Sequence, residues 1–140
     1  MTQLLHPAAQ HGFSAAAELY QQVRPSYPQE IHAWLTEQLH LNANSRVIDL
    51  ASGTGKFLPY LIPHSGQLTA IEPVTEMLAQ LKLAYPQVET LQAFSDHIPL
   101  PSQSIDAVLS AQAFHWFANL DSLKEIHRVL KPQGHLGLVW

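Results

Sequence analysis

The chain has 140 residues, the size of one domain, and 46% of them are hydrophobic against 13% charged, which provides a packed core and excludes a disordered chain. Its net charge of −4, without a basic cluster, excludes the surface of a nucleic-acid binder, so a small-molecule partner is expected. With no cysteine, no signal peptide and no apolar run of about 18 residues, we expect no disulfide, no membrane contact and a cytoplasmic location.

Two helices are predicted at the N-terminal end of the chain. Residues 14–23 are rich in helix formers behind a candidate cap at Ser14, and Pro25 ends the run. Residues 28–41 form an amphipathic pattern, because large apolar side chains recur at helical spacing: Ile31, Trp34, Leu35 and Leu39. The second helix is therefore expected to pack on a neighbouring element.

From residue 47 onward, apolar strand patterns alternate with helical patterns. The predicted strands are 47–50, 68–71, 88–93, 105–110 and 136–140. The predicted helices between them are 56–62, 77–83 and 120–130, and residues 131–134 end the last of these. This alternation predicts an α/β fold with a doubly wound, mostly parallel sheet and helices on both faces.

The most informative segment is the small-residue turn 51–55, which follows the first strand. Gly53 and Gly55 would let a ligand approach the backbone closely, although glycines also occur in purely structural turns. Glu72 ends the next strand, 19 positions after Gly53, close to the offset at which an acid binds ribose hydroxyls. The alternative for Glu72 is an acidic residue at the start of a helix. Together the two features predict a nucleotide-like ligand.

The residues after the turn decide between nucleotides. A dinucleotide fingerprint needs a third small residue, whereas Lys56, Phe57 and Leu58 follow Gly55, so NAD is disfavoured. A P-loop needs four residues between its glycines and a Ser or Thr after the lysine. This turn has one residue between Gly53 and Gly55, and Phe57 follows Lys56, so ATP is disfavoured as well.

The turn resembles motif I of class I S-adenosylmethionine (SAM)-dependent methyltransferases, in the methyltransferase type 11 family. Asp49, Gly53 and Gly55 match that motif, and Ala51 replaces its first glycine. The resemblance extends from about residue 13 to residue 140, and it implies a Rossmann-like fold with SAM as cofactor. By resemblance these four residues bind the cofactor.

Three further motifs extend the resemblance to later cofactor-binding segments. Glu72 and Pro73, followed by Met77, are similar to the ribose- and adenine-binding motif, although Met77 alone would be interpreted as core packing. The resemblance places the segment after strand three at the adenine edge and the exit of strand four beside the reactive methyl group. The implied cofactor contacts are Phe94, Ser95, Asp96, Ala111 and Gln112, and Asp96 is equally interpretable as an exposed loop residue.

A fourth motif is structural. Residues 125–134 resemble the signature last helix and turn of the family, without a catalytic role.

Residues 20–28, together with residues 113–117, resemble a small-molecule branch that includes trans-aconitate methyltransferases. That resemblance implies that Tyr20 and Arg24 contact the cofactor, while Tyr27, His115 and Trp116 contact the substrate. His115 would position a carboxylate acceptor, or act as base for a hydroxyl or amine. In the alternative interpretation the two tyrosines pack on the sheet edge and Arg24 lies in solvent.

We expect one domain over residues 1–140, with an N-terminal cap helix in 1–27 and a core in 28–140. The family's sheet normally has seven strands, so the core is expected to lack the last two, to associate as a homodimer through the edge of strand five, and to be weakly active alone. The expected reaction is methyl transfer from SAM to a small-molecule acceptor, with a carboxylate as the candidate acceptor. The alternatives are a non-catalytic module that binds SAM or a partner, and an NAD-dependent oxidoreductase. Nine scattered histidines give no metal-ligand pattern, so no metal is expected.

Overall fold

The computed structural model describes residues 27–111, residue 113 and residues 119–139. The predicted first helix at 14–23, with Tyr20 and Arg24, lies outside the described residues. The same is true of Gln112, His115 and Trp116, so their predicted roles stay predictions.

Nine helices and strands make up the described part of the chain. The helices are α1 (Glu30–Ala33, continued as a π-helical turn Trp34–Gln38), α2 (Leu58–Leu61, continued as a 3-10 turn Ile62–His64), α3 (Thr75–Ala84) and α4 (Leu120–Val129). The strands are β1 (Arg46–Leu50), β2 (Gln67–Ile71), β3 (Glu89–Leu91), β4 (Ile105–Ala111) and β5 (Leu130–Val139). None of the described helices is long and apolar enough to cross a membrane.

The five strands form one parallel sheet in the order β3-β2-β1-β4-β5, which confirms the predicted α/β class. β1 lies at the centre, where Asp49 is in register with Ala70 of β2 and Leu109 of β4. The strand order reverses on the two sides of β1. In open α/β sheets, ligands bind at the carboxyl ends of the strands beside such a reversal.

Apolar clusters cover both faces of the sheet, so the predicted two-sided helix packing is confirmed. Val47 of β1 belongs to one cluster, which contains Leu35 and Leu61 from the α1 and α2 segments. Ile48 belongs to the cluster on the other face, with Ile126 of α4. Because successive side chains of a strand point to opposite faces, one buried strand supplies both cores.

Several element boundaries differ from the sequence prediction, and two of the differences have a clear structural reason. α2 begins at Leu58 rather than at residue 56, because residues 53–57 remain in the turn that starts after β1. β5 begins at Leu130, directly after α4. Leu130 pairs with Ile105, and the register then shifts so that His135 pairs with Ala107. The predicted stop at 131–134 is thus a bulge inside the strand, since these four residues lie opposite the single residue Asp106 of β4, three more than a regular register would place there.

Candidate active site

The turn after β1 has an unusual backbone at three alternate positions. Ala51, Gly53 and Gly55 all have positive φ, at 58°, 61° and 92°. Glycine adopts this region freely, whereas a residue with a Cβ is strained there. Ser52 fixes the turn, because its amide donates to the Ile71 carbonyl (3.0 Å) and its hydroxyl donates to the Asp49 carbonyl (2.7 Å).

Glu72 connects this turn to the end of β2. Its Oε1 accepts a hydrogen bond from the Gly53 amide at 2.7 Å, and its Oε2 accepts one from the Val74 amide at 2.8 Å. Gly53 and Glu72, which are 19 positions apart, are therefore direct neighbours. Val74 is the N-cap residue of α3, so the carboxylate also stabilises the start of that helix, as the alternative interpretation expected.

The environment of Glu72 disfavours its charged form. The residue is only 4% exposed. Desolvation raises the pKa of its carboxyl to about 7, and the two backbone hydrogen bonds, which favour the charge, offset only part of that effect. Near neutral pH the site therefore holds a carboxyl that gains or loses its proton readily.

Side chains from α3 and from its C-cap residue lie over the two glycines. The Met77 methyl carbon is 3.1 Å from the place that a Cβ on Gly53 would occupy, and Met77 is buried. The Tyr85 ring comes within 3.0 Å of the corresponding place on Gly55. Tyr85 was not predicted; it is the C-cap residue that directly follows α3.

The other predicted cofactor residues surround the turn, with different exposures. Asp49 is 1% exposed at the end of β1, whereas Ala111 is half-buried at the end of β4. Pro73 is half-buried, and its carbonyl accepts a hydrogen bond from Gln92 at 3.0 Å. Backbone and side-chain groups from β1, β2 and β4 thus meet at one end of the sheet.

The segment after β3 turns tightly, since the His97 amide donates to the Phe94 carbonyl at 3.2 Å. Phe94 and Asp96 are half-buried. Ser95 is buried, and its hydroxyl lies 2.7 Å from the Ser122 hydroxyl of α4. Ser95 therefore joins this segment to α4, and an adenine contact from Ser95 stays a prediction.

Tyr27 packs beside the turn rather than standing alone in solvent. Its ring meets Phe57 edge to face, with centroids 5.2 Å apart, and meets Tyr60 in the same way at 5.4 Å. The Tyr27 amide donates to the Tyr60 hydroxyl at 3.0 Å. Tyr27 therefore packs on Phe57 and Tyr60 rather than on the sheet edge that the alternative interpretation gave, and a substrate contact stays a prediction.

Glu125 and Arg128 of α4 hold the segment that follows Asp96. Glu125 accepts a hydrogen bond from the Ile98 amide at 2.7 Å, and Arg128 donates one to the Ile98 carbonyl at 2.8 Å. The two side chains also pair with each other at 2.7 Å. Arg128 lowers the pKa of the Glu125 carboxyl, mainly through this hydrogen bond. The structural role that the sequence predicted for this motif is thus visible as a clamp on the loop.

A nucleoside cofactor fits this chemistry. The left-handed turn lies at the carboxyl ends of the central strands, and Glu72 is a buried carboxylate of the type that accepts hydrogen bonds from ribose hydroxyls. Thr54, in the turn, has a hydroxyl that is buried without a hydrogen-bond partner among the described residues. Buried hydroxyls normally have partners, so a ligand with polar groups would satisfy it. No group of three or more candidate metal ligands occurs within the described ranges.

Comparison with known proteins gives a family match over this region. A family model described as a methyltransferase domain matches residues 48–138. The chain is 44% identical over 122 residues to an uncharacterised methyltransferase-like protein of Schizosaccharomyces pombe, covering 86% of this chain and 48% of that protein. It is 31% identical over 125 residues to a malonyl-acyl-carrier-protein O-methyltransferase of Enterobacter lignolyticus, covering 89% of this chain and 49% of that protein.

Among solved structures, the cyclase SpnF superposes with a TM-score of 0.76 at 21% identity, over 93% of this chain and 58% of that one. This likeness shows the fold and does not by itself indicate an activity. The chain spans about half the length of the curated relatives it matches.

Proposed function

The chain belongs to the methyltransferase domain family, whose methyl donor is SAM, and we propose that it transfers a methyl group from SAM to a small-molecule acceptor. The observation that carries this proposal is the pairing of the Gly53 turn with the buried Glu72 carboxylate. That pairing supports a site for a ligand with vicinal hydroxyls beside the glycine turn. The acidic net charge of the chain supports a small molecule rather than a nucleic acid.

In this proposal the residues of the chain bind and orient, and SAM supplies an activated methyl group when bound. Glu72 accepts hydrogen bonds from the ribose, and the turn that contains Gly53 and Gly55 binds the nucleoside. Met77 lies against the adenine, with Phe94 and Asp96 at the adenine edge. Because the methyl group of a sulfonium is already activated, alignment of the acceptor is the main task of the protein.

We propose a carboxylate as the acceptor, as in the trans-aconitate branch that the residues around Arg24 and His115 resemble. The O-methyltransferase among the relatives supports transfer to oxygen. A carboxylate is ionised at neutral pH and needs no base, so His115 would position it. For a hydroxyl or amine acceptor, His115 would remove a proton.

The second candidate is a module that binds SAM without turnover. Ala51 favours it, because a methyl group stands where the family motif has a glycine, in strained backbone beside the methionine end of the cofactor. The two candidates share the binding step and differ only in transfer.

The proposed organisation has a cap in residues 1–27, a core in 28–140, and a contact between two copies through the edge of β5. The edge position of β5 in the described sheet supports that contact. A cytoplasmic location stays a prediction from the sequence.

The test combines calorimetry with turnover. SAM and its demethylated product are titrated into the wild-type chain, into Glu72→Gln and into the control Glu76→Gln. Glu76 is exposed on α3, so its substitution should leave binding unchanged, whereas Glu72→Gln should weaken it. Turnover is then measured with radiolabelled SAM against panels of carboxylates, alcohols and amines. Transfer to carboxylates supports the proposal, binding without transfer supports the module, and no binding contradicts both.

A further inference from the structure

Two histidines that the candidate active site does not use meet on the surface of the domain. His32 is in α1 and His64 ends the 3-10 turn after α2. The Nδ1 of His32 and the Nε2 of His64 lie 2.9 Å apart, with the ring planes tilted by 59°. Both residues are half-buried, so one side of the pair is open to solvent.

The separation of the two nitrogens suits a transition metal. Metal–imidazole bonds of about 2.0–2.1 Å, at angles of about 90–110°, place two ligand nitrogens about 2.9–3.4 Å apart. The observed spacing is at the short end of that range. Imidazole is a good ligand for zinc, nickel and copper, and such ions complete their coordination with water when the protein leaves positions open.

One further contact orients the pair. His32 packs against the Tyr60 ring at a centroid distance of 5.7 Å, which restricts the orientation of its imidazole. A ligand that is already oriented loses less conformational entropy on binding.

We propose that His32 and His64 form an open two-imidazole site for a divalent transition metal. One of the two facing nitrogens carries the hydrogen of the present contact. When the metal binds, that ring moves its proton to its other nitrogen, so both facing nitrogens donate lone pairs and no proton is released from the neutral pair. Waters fill the remaining positions.

A metal at this site would join α1 to the segment after α2. His32 contacts Tyr60, and the Tyr60 hydroxyl accepts the hydrogen bond from the Tyr27 amide. The metal would therefore stabilise the packing of the first described residues beside the glycine turn. Stabilisation follows because the pair is assembled only in the folded chain.

The experiment titrates NiCl₂, ZnCl₂ and CuCl₂ separately into the metal-free full chain, without SAM, by calorimetry. Nine histidines give several weak metal sites, so the quantity to compare is the dissociation constant of the tightest site. We expect one tightest site in the wild-type chain, weakened about tenfold or more in His64→Gln and in His32→Gln, because each variant loses chelation. The metal should also raise the melting temperature of the wild-type chain and not of either variant.

His135→Gln is the matched control. His135 and His40 also lie close, with ring centroids 5.5 Å apart, but no contact between their nitrogens brings them together as ligands. This variant should keep the tightest site. Circular dichroism establishes that each variant is folded, and Cu²⁺ electron paramagnetic resonance counts the bound nitrogens. Equal affinity in His64→Gln and the wild-type chain, or a spectrum with a single nitrogen, would overturn the site. Neither result bears on SAM binding.

Discussion

Ala51 is the only alanine with a positive φ among the described residues, and it stands where motif I of the family has a glycine. The left-handed region costs an L-residue roughly 1–2 kcal/mol, and a glycine costs about 0.5–1 kcal/mol more chain entropy than alanine. We therefore predict that Ala51→Gly stabilises the chain by up to about 1 kcal/mol in urea unfolding. The control is Ala79→Gly in the middle of α3, which should destabilise by about 1 kcal/mol. Equal destabilisation by both substitutions would contradict the strain at Ala51.

Gly53 combines a left-handed backbone with close contact to Met77. In Gly53→Val the new Cβ would lie 3.1 Å from the Met77 methyl carbon, at a φ of +61° that β-branched residues resist. We predict that this variant keeps its sheet, measured by circular dichroism, and loses detectable SAM binding. Gly53→Ala should give an intermediate affinity, because it adds a smaller side chain. Undiminished SAM affinity in the valine variant would remove this turn from the cofactor site.

The raised pKa of Glu72 predicts the sign of a pH effect. The pKa of about 7 in the folded chain lies above the ordinary value of 4.5, so between pH 4.5 and 7 the Glu72 carboxyl is protonated more often in the folded chain than in the unfolded chain. Relative to Glu72→Gln, wild-type stability should therefore rise as pH falls from about 7 to 4.5, and be lost as pH rises through 7. Comparing the two proteins removes the opposite contribution of His64, whose lowered pKa favours the folded chain at higher pH. Parallel stability profiles of the two proteins would refute the raised pKa.

The pH dependence of SAM affinity gives a second test of the Glu72 carboxyl. The charged form accepts ribose hydrogen bonds, so affinity should fall as pH falls through about 7. Glu72→Gln should bind about 1–3 kcal/mol more weakly at pH 8 and lose this pH dependence. A pH-independent affinity in the wild-type chain would place Glu72 outside the ribose site.

At the scale of elements, α4 holds the loop after β3 through the Arg128 guanidinium. Arg128 donates to both Glu125 and the Ile98 carbonyl, a planar arrangement that lysine cannot reproduce. We predict that Arg128→Lys costs about 1 kcal/mol in urea unfolding and speeds hydrogen exchange of the Ile98 amide. Lys124→Ala, on an exposed position of the same helix, is the control. Unchanged exchange at Ile98 would indicate that the clamp does not order the loop.

Element patterns in the sequence predicted most of the fold. The strands were predicted correctly because buried parallel strands are continuously apolar. α3 begins at Thr75, two residues before its predicted start at Met77; the prediction missed Thr75 and Glu76 because these polar first-turn residues lie outside the apolar pattern. The bulge in β5 was missed, since it depends on register with β4 rather than on local composition. In the candidate site, motif spacing singled out Gly53 and Glu72, which the structure brings into direct contact. The contact between His32 and His64 was missed, because it joins residues 32 positions apart without a shared motif.

At the scale of the whole molecule, the two edges of the sheet differ. β5 is paired on one side by β4, and within the described residues its other side has no strand. Residues 136–139 carry no charge and no proline, and Leu136, Leu138 and Val139 are half-buried. β3, at the opposite edge, is only three residues long and carries Glu89, so it is a poor template for pairing. Long apolar edges without charges recruit further strands.

We therefore predict that the chain self-associates through the β5 edge. In sedimentation velocity the mean mass should rise with concentration, because pairing satisfies backbone groups and covers Leu138. Leu138→Lys should reduce the association, since it places a charge on the edge, whereas Thr90→Lys on β3 should leave it unchanged. Circular dichroism checks that both variants keep the sheet. A wild-type chain that stays monomeric up to about 100 μM, well within the range where exposed edges drive association, would refute this contact. Equal effects of the two lysine substitutions would also refute it, because they would trace association to charge rather than to the β5 edge.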